Sequence, residues 1–514
     1  MKMKKKLACT SLVLTLLLSV LTACGNKDAK SDAGSKTVKD SLRIAHAFDS
    51  KLMSFGTTST NQGSVPLMHN IYDTLVTFDH DHNIVPQLAT EWSVSDDGMR
   101  YSFTIRKGVT FHDGSPLTME DIAWTYDYLI STTLGPNLLI NYDHTEIVDE
   151  NHIIMHMKAP YGAFLNGAAS RAGLIMSKKY FDKVGVEVYE NNPIGTGPYK
   201  FISKIPGDSI KLEFYPGYWG GELPIKTVEF KYITDPNTQM ISLESGDVDL
   251  VLLIPTGSML QLKDNPNIGI AYETSATRVG VNPNCNPQLS IGGDINFRKA
   301  IAYYVNKEDM VTSFTEGLGE VADSPIQPNY SGRPEKYNTI QRDVNKAKEF
   351  LAASTYKGQP VKIVCSSDYE MISNILQAQL LEIGINAQVV ATDDPTMEAT
   401  LKRRDYDISV FRRNSSLIDA DGLWTGYSEH FKRSSADYGY ERLPEMETLL
   451  WEGRSMQETP ERREVYRKLQ DIIIDEVYEV PLVYTVNTAA FHKNLKGVWL
   501  NFVQMFPIKD MYWE

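Results

Sequence analysis
The chain has 514 residues, with 51 Lys and Arg against 65 Asp and Glu and a formal net charge of −14; 42% of it is hydrophobic. An acidic balance of this size argues against nucleic acid and against a basic membrane-binding face, since phosphates and anionic head groups would repel it. The length suits about three average domains or one or two large α/β lobes, so domain count must come from pattern along the chain.

The chain opens with MKMKKK, placing Lys2, Lys4, Lys5 and Lys6 ahead of an apolar run from Leu7 to Leu21. Charge followed by apolar residues is the layout of an export signal, and the run falls short of the about 20 residues a stable span needs. It ends in Leu21, Thr22, Ala23, Cys24, Gly25, the small residues and thiol of a bacterial lipobox. The expectation is a signal peptide over 1–23 and a lipid on Cys24. Loss of 1–23 removes four lysines and no acid, taking −14 to about −18. Residues 24–40 are expected to be a flexible tether, because NKDAKSDAGSKTVKD has too little apolar content to fold. The body would then sit on the outer face of the cell membrane, extracellular or periplasmic, held by lipid alone. With Cys9 in the signal and Cys24 lipidated, only Cys285 and Cys365 remain in the body. They are read as two buried free thiols, not as a disulfide scaffold.

From Ile71 to Phe111 short extended segments alternate with turn signals at 79–83, 95–98 and 107–108, and Tyr101, Phe103 and Ile105 alternate as on a half-buried strand. Thr118, followed by Glu120 and Asp121, reads as the N-cap of a helix. NHIIMHMK reads as a strand, on which His152 and His156 lie about 13 Å apart and cannot chelate one ion together. Asp343 precedes a helical pattern through Val344, Ala347, Phe350 and Leu351; Val361–Cys365 reads as a strand. A second helix through Ile372, Leu376 and Leu380 ends at Gly384, and Ile385–Val390 forms another strand. Strand, helix, strand with short links is the unit of a parallel sheet, so the body is α/β.

Three blocks in order carry a family resemblance: Tyr72–Asp121 (YDTLVTFDHDHNIVPQLATEWSVSDDGMRYSFTIRKGVTFHDGSPLTMED), Asn192–Phe201 (NPIGTGPYKF) and Ile295–Val311 (INFRKAIAYYVNKEDMV). From about Leu42 to the C-terminus the chain resembles family 5 solute-binding proteins of ABC importers, the oligopeptide, dipeptide and nickel receptors. In GTGPYK, Gly195 and Gly197 are expected to supply backbone angles closed to other residues, with Pro198 fixing the exit. The resemblance implies an α/β, two-lobed periplasmic-binding-protein-like fold enlarged by an extra domain, with mixed sheets flanked by helices and a cleft between the lobes. On that pattern domain I is 41–64, 193–275 and 487–514, the extra domain II is 65–192, and domain III is 276–486. It further implies a peptide ligand, permease subunits with cytoplasmic ATPases as partners, no cofactor, and a monomer.

The resemblance also directs attention to Asp405–Trp424, where Asp419, or else Asp421, is expected to meet a ligand ammonium. The family usually shows Asp-Pro there, and this chain has Asp419-Ala420-Asp421. Arg412 and Arg413 are candidates for a ligand carboxylate, with only one of them able to face the cleft from a strand. Trp424, Tyr427 and Arg278 complete the expected pocket. Two rivals stand beside this reading. A receptor for nickel or a metal chelate would use His430, and an anchored hydrolase would need a catalytic motif, yet neither GxSxG nor HExxH occurs.

Overall fold
The computed structural model describes residues 39–47, 64–132, 135–415, 417–427, 443–502 and 504–514. The export signal, Cys24, most of the tether and His430 lie outside the described residues. Lys39 and Asp40 are already tied to the body, Lys39 through Asp249 at 2.6 Å and Asp40 through the backbone of Lys226.

Among the described residues one sheet gathers eleven strands. Towards one edge lies Ser41–His46, parallel to Thr227–Tyr232 on one side and to Leu250–Leu252 on the other. Antiparallel Ser209–Phe214 and Tyr199–Ile205 finish that edge. Two strands are far longer than the rest, Ile268–Pro283 and Val480–His492, and they run antiparallel to each other. Their length lets them serve two neighbourhoods. The stretch 268–274 pairs with 486–492 beside Leu250–Leu252, whereas 278–281 pairs with 480–484 and 278–283 with Ile408–Arg413. Between them the ladder breaks register, from Thr274 to Arg278. The break is held by side chains: Ser275 Oγ lies 2.6 Å from Thr485 Oγ1, and the Ala276 carbonyl accepts from Gln327 and Tyr330.

Beyond Ile408–Arg413 come Val361–Ser366 and Ala387–Thr392, parallel, with helix Glu370–Glu382 between them. This is the expected strand, helix, strand unit. Gly384 turns the chain at φ +88°, a left-handed angle suited to glycine, and the second strand starts two residues later than the sequence pattern suggests. Ile363, Val410 and Leu380 pack there in a core separate from the largest one. A second, four-stranded antiparallel sheet comprises Ala89–Val94, Arg100–Ile105, His152–Met157 and Tyr142–Ile147 in that order. Tyr101, Phe103 and Ile105 all point into the large core. Against it lies helix Met119–Ile130, whose Thr118 and Asp121 exchange side-chain and backbone hydrogen bonds in a capping box.

Gly195 and Gly197 require a correction. Neither has a positive φ. What excludes a side chain is proximity, since a Cβ on Gly195 would stand 2.2 Å from the Ile71 carbonyl oxygen, and one on Gly197 2.7 Å from it. His112 clamps the same turn: its Nδ1 accepts from Gly195 N at 3.2 Å and its Nε2 donates to Gly197 O at 3.0 Å. The block around FHDG and the block GTGPYK are therefore one structural knot. Cys285 and Cys365 are buried and unpaired, as expected, and burial pushes the Cys285 thiol up to about 12.

Candidate functional site
Strand Ile408–Arg413 lies antiparallel to Ile268–Pro283 in a register that sets Arg413 opposite Arg278. Alternation then separates the arginine pair. Arg412 turns to Asp394, at 3.2 Å and partly exposed. Arg413 turns the other way, its Nε reaching Glu479 at 3.1 Å and Asn282 at 3.2 Å.

Glu479 precedes the second long strand, and its side chain has no solvent exposure. Arg278 donates to both its oxygens through Nη2, at 3.0 and 3.1 Å, and to the Pro325 carbonyl through Nε at 3.0 Å. Arg278 Nη1 is buried and has no hydrogen-bond partner among the described residues. The Arg413 guanidinium lies over the ring of Tyr427 at 5.3 Å, and Tyr427 meets Trp424 edge to face at 5.8 Å. Trp424 Nε1 is likewise buried without an acceptor among the described residues. Arg278, Glu479, Arg413, Tyr427 and Trp424 thus form one run of contacts. Close by, Lys307 donates to the Ala322 carbonyl, and burial lowers it to about 8, with Asp323 opposing and Arg278 adding to the shift.

Asp419 and Asp421 stand elsewhere in the charge pattern. Asp419 caps helix Ala420–Trp424, its Oδ1 accepting from Asp421 N at 2.8 Å. Both oxygens also accept from Arg462, each at 2.8 Å, and the pair is shut off from solvent. Burial opposes the charge of Arg462, and the facing Asp419 carboxylate overrides it, holding the guanidinium well above its ordinary range. Asp421 is engaged by Arg454 at 2.8 Å and by the Tyr161 hydroxyl at 3.2 Å. Each carboxylate that the sequence offers to a ligand ammonium already has an arginine of its own.

The turn before Asp419 is strained. Ile418 adopts φ +56°, costly for a β-branched residue. It is pinned from two sides, its carbonyl accepting from Ser331 N at 3.1 Å and from Asn166 Nδ2 at 3.2 Å. Sequence reasoning missed Glu479, Arg454 and Arg462, since nothing local marks YEVPL or the two helices near the C-terminus as partners of Asp405–Trp424.

Among the described residues no group of three His, Cys, Asp or Glu could hold a metal ion, and no helix is long and apolar enough to cross a membrane. Comparison with known proteins gives three findings. The family model for bacterial extracellular solute-binding proteins, family 5 Middle, matches residues 83–434. The glutathione-binding protein GsiB of Salmonella choleraesuis is 25% identical over 452 residues, covering 84% of this chain and 86% of that protein. Among solved structures, the ABC transporter substrate-binding protein CtaP from Listeria monocytogenes superposes with a TM-score of 0.83 at 22% identity, covering 93% of this chain and 99% of that one. The oligopeptide-binding protein AppA from Bacillus subtilis, in complex with a nonapeptide, does so at 0.75 and 22%, covering 92% and 99%.

Proposed function
The chain belongs to the family 5 bacterial extracellular solute-binding proteins, the substrate-binding proteins of ABC importers, and we propose that it is a lipid-anchored receptor that captures peptides for delivery to a membrane permease. The observation that carries the ligand class is the run Arg278, Glu479, Arg413, Tyr427, Trp424 with its two buried donors lacking acceptors among the described residues, Arg278 Nη1 and Trp424 Nε1. A peptide brings carbonyls and a terminal carboxylate, which are acceptors; a bare metal cation brings none. The glutathione for which GsiB is named and the nonapeptide held by AppA support the same class.

On this reading Asp419 and Asp421 brace the wall beside the site through Arg462 and Arg454, leaving recognition to Arg278 and Arg413. The register break at 275–277 is the hinge between domain III, 276–486, and the rest of the body. Cys24 carries the lipid, the receptor works as a monomer, and its partners are the permease and its ATPases. Calorimetric titration with one peptide, carrying a free or an amidated C-terminus, tests the reading. The free form is expected to bind at least about tenfold more tightly, the difference vanishing in Arg278→Met. Equal affinities in the unaltered receptor would sink the anion-reading role, and peptide turnover would sink the receptor role altogether.

A further inference from the structure
The four-stranded sheet carries a pair of imidazoles that solute capture does not use. His144 and His156 face each other in direct register across Tyr142–Ile147 and His152–Met157. Their rings stack with centroids 4.5 Å apart and planes within 5° of parallel. Each ring has a carboxylate on one nitrogen: Asp143 Oδ2 lies 2.9 Å from Nδ1 of His144, and Glu146 Oε2 lies 2.9 Å from Nε2 of His156. An ionised carboxylate only accepts, so the nitrogen facing it bears the proton. In the neutral ring the other nitrogen, Nε2 of His144 and Nδ1 of His156, is the one that carries a lone pair. A carboxylate behind the ring is how proteins fix the tautomer of metal-ligating histidines. Here that arrangement occurs twice, on two rings already side by side, with side chains 57% and 28% exposed.

We infer that His144 and His156 form a superficial site for one divalent transition-metal ion of the class that prefers imidazole, such as Zn2+, Ni2+ or Cu2+, with water completing the coordination. A Zn–N bond of about 2.0–2.1 Å asks the two nitrogens to stand within about 4 Å of each other. The rings stand face to face with centroids 4.5 Å apart and nearly parallel planes, so binding requires them to turn out of the stack until their in-plane lone pairs converge on the shared ion. His152 supplies an internal control. It too has a carboxylate behind it, Asp149 at 2.8 Å, but it stands about 13 Å along the strand from His156 and has no facing imidazole.

The test is calorimetric titration of the folded protein with ZnCl2, with far-UV circular dichroism confirming the fold of each variant. His144→Ala and His156→Ala are each expected to bind one equivalent fewer than the unaltered protein, while His152→Ala binds the same number. Glu146→Gln should keep the equivalent but weaken it by about tenfold or more, through the loss of its hold on His156. The inference is overturned if both alanine variants retain the full count, or if only one of them loses it, which would mark a single-imidazole contact.

Discussion

Replacing Asp419 separates a bracing role from a ligand-binding one. In Asp419→Leu the guanidinium of Arg462, with no side-chain exposure, loses both of its 2.8 Å contacts to Asp419 and keeps Glu458 at 2.9 Å. Stranding one member of a buried ion pair costs about 3–5 kcal/mol. Loss of the cap on Asp421 N adds about 1 kcal/mol, and survival of the Glu458 contact returns part of it. The expected loss is therefore about 3–5 kcal/mol of unfolding free energy, read from urea denaturation followed by circular dichroism. Arg462→Met should cost a similar amount by leaving the Asp419 carboxylate buried and unmatched. The double variant should cost much less than the two together, since removing both charges is often close to neutral. Peptide affinity of the folded fraction should change little in either single variant. Single-variant losses below about 1 kcal/mol, or a large drop in affinity at unchanged stability, would refute the bracing role and restore Asp419 as a ligand contact.

Three further outcomes follow from the packing and from the charges. Gly195→Ala should destabilise the body by several times as much as Gly207→Ala in urea titrations, because the first Cβ would stand 2.2 Å from the Ile71 oxygen whereas the second meets nothing within 4 Å and carries only the φ +72° penalty of about 1 kcal/mol. Burial lowers His112 and His69 each to about 4 in the folded protein, so the folded state resists protons that the unfolded chain binds; stability present above pH 6.5 should be lost as pH falls towards 4. The slope should reach about 1.4 kcal/mol per pH unit for each histidine, and His112→Gln should flatten it; a pH-independent midpoint between 4 and 6.5 would count against the clamp on Gly195. Glu479→Gln takes away the anion shared by Arg278 and Arg413 and should cost about 3–5 kcal/mol in the same assay, with no change at the His144–His156 pair.

What the sequence made legible was local in origin. Thr118 and Asp121 sit three residues apart and cap one helix, and the pattern from Val361 to Val390 specifies its own strand, helix, strand unit, since periodicity is a property of neighbouring residues. The split of Arg412 from Arg413 came from the same source, the two-residue period of a strand. The charge partners were hidden because they are distant in the chain. Arg462 lies 43 residues beyond Asp419, Arg454 lies 33 beyond Asp421, and Glu479 lies 201 beyond Arg278, with no signal in spacing or composition to join them. The two glycines of GTGPYK show the same limit. Their presence announces a constraint, but only the fold reveals that a carbonyl 124 residues upstream of Gly195, on Ile71, imposes it.

The register break in the two long strands has a consequence for how this chain can be rebuilt. Thr274 and Val486 are cross-strand neighbours, so their Cα atoms stand about 5 Å apart. The covalent chain from 275 to 485 passes the break at one of them and returns past it at the other, while 278–281 and 480–484 resume the pairing beyond it. That stretch is covalently an insertion between two adjoining points, with further contacts to the body such as Tyr161–Asp421 and Asn166–Ile418, and a two-residue turn could join those points and close the remaining strands as a hairpin. Specificity could then be exchanged between related receptors by grafting at this pair of crossings, provided the contacts at Tyr161 and Asn166 are matched, with the parallel strands around Ser41–His46 left untouched.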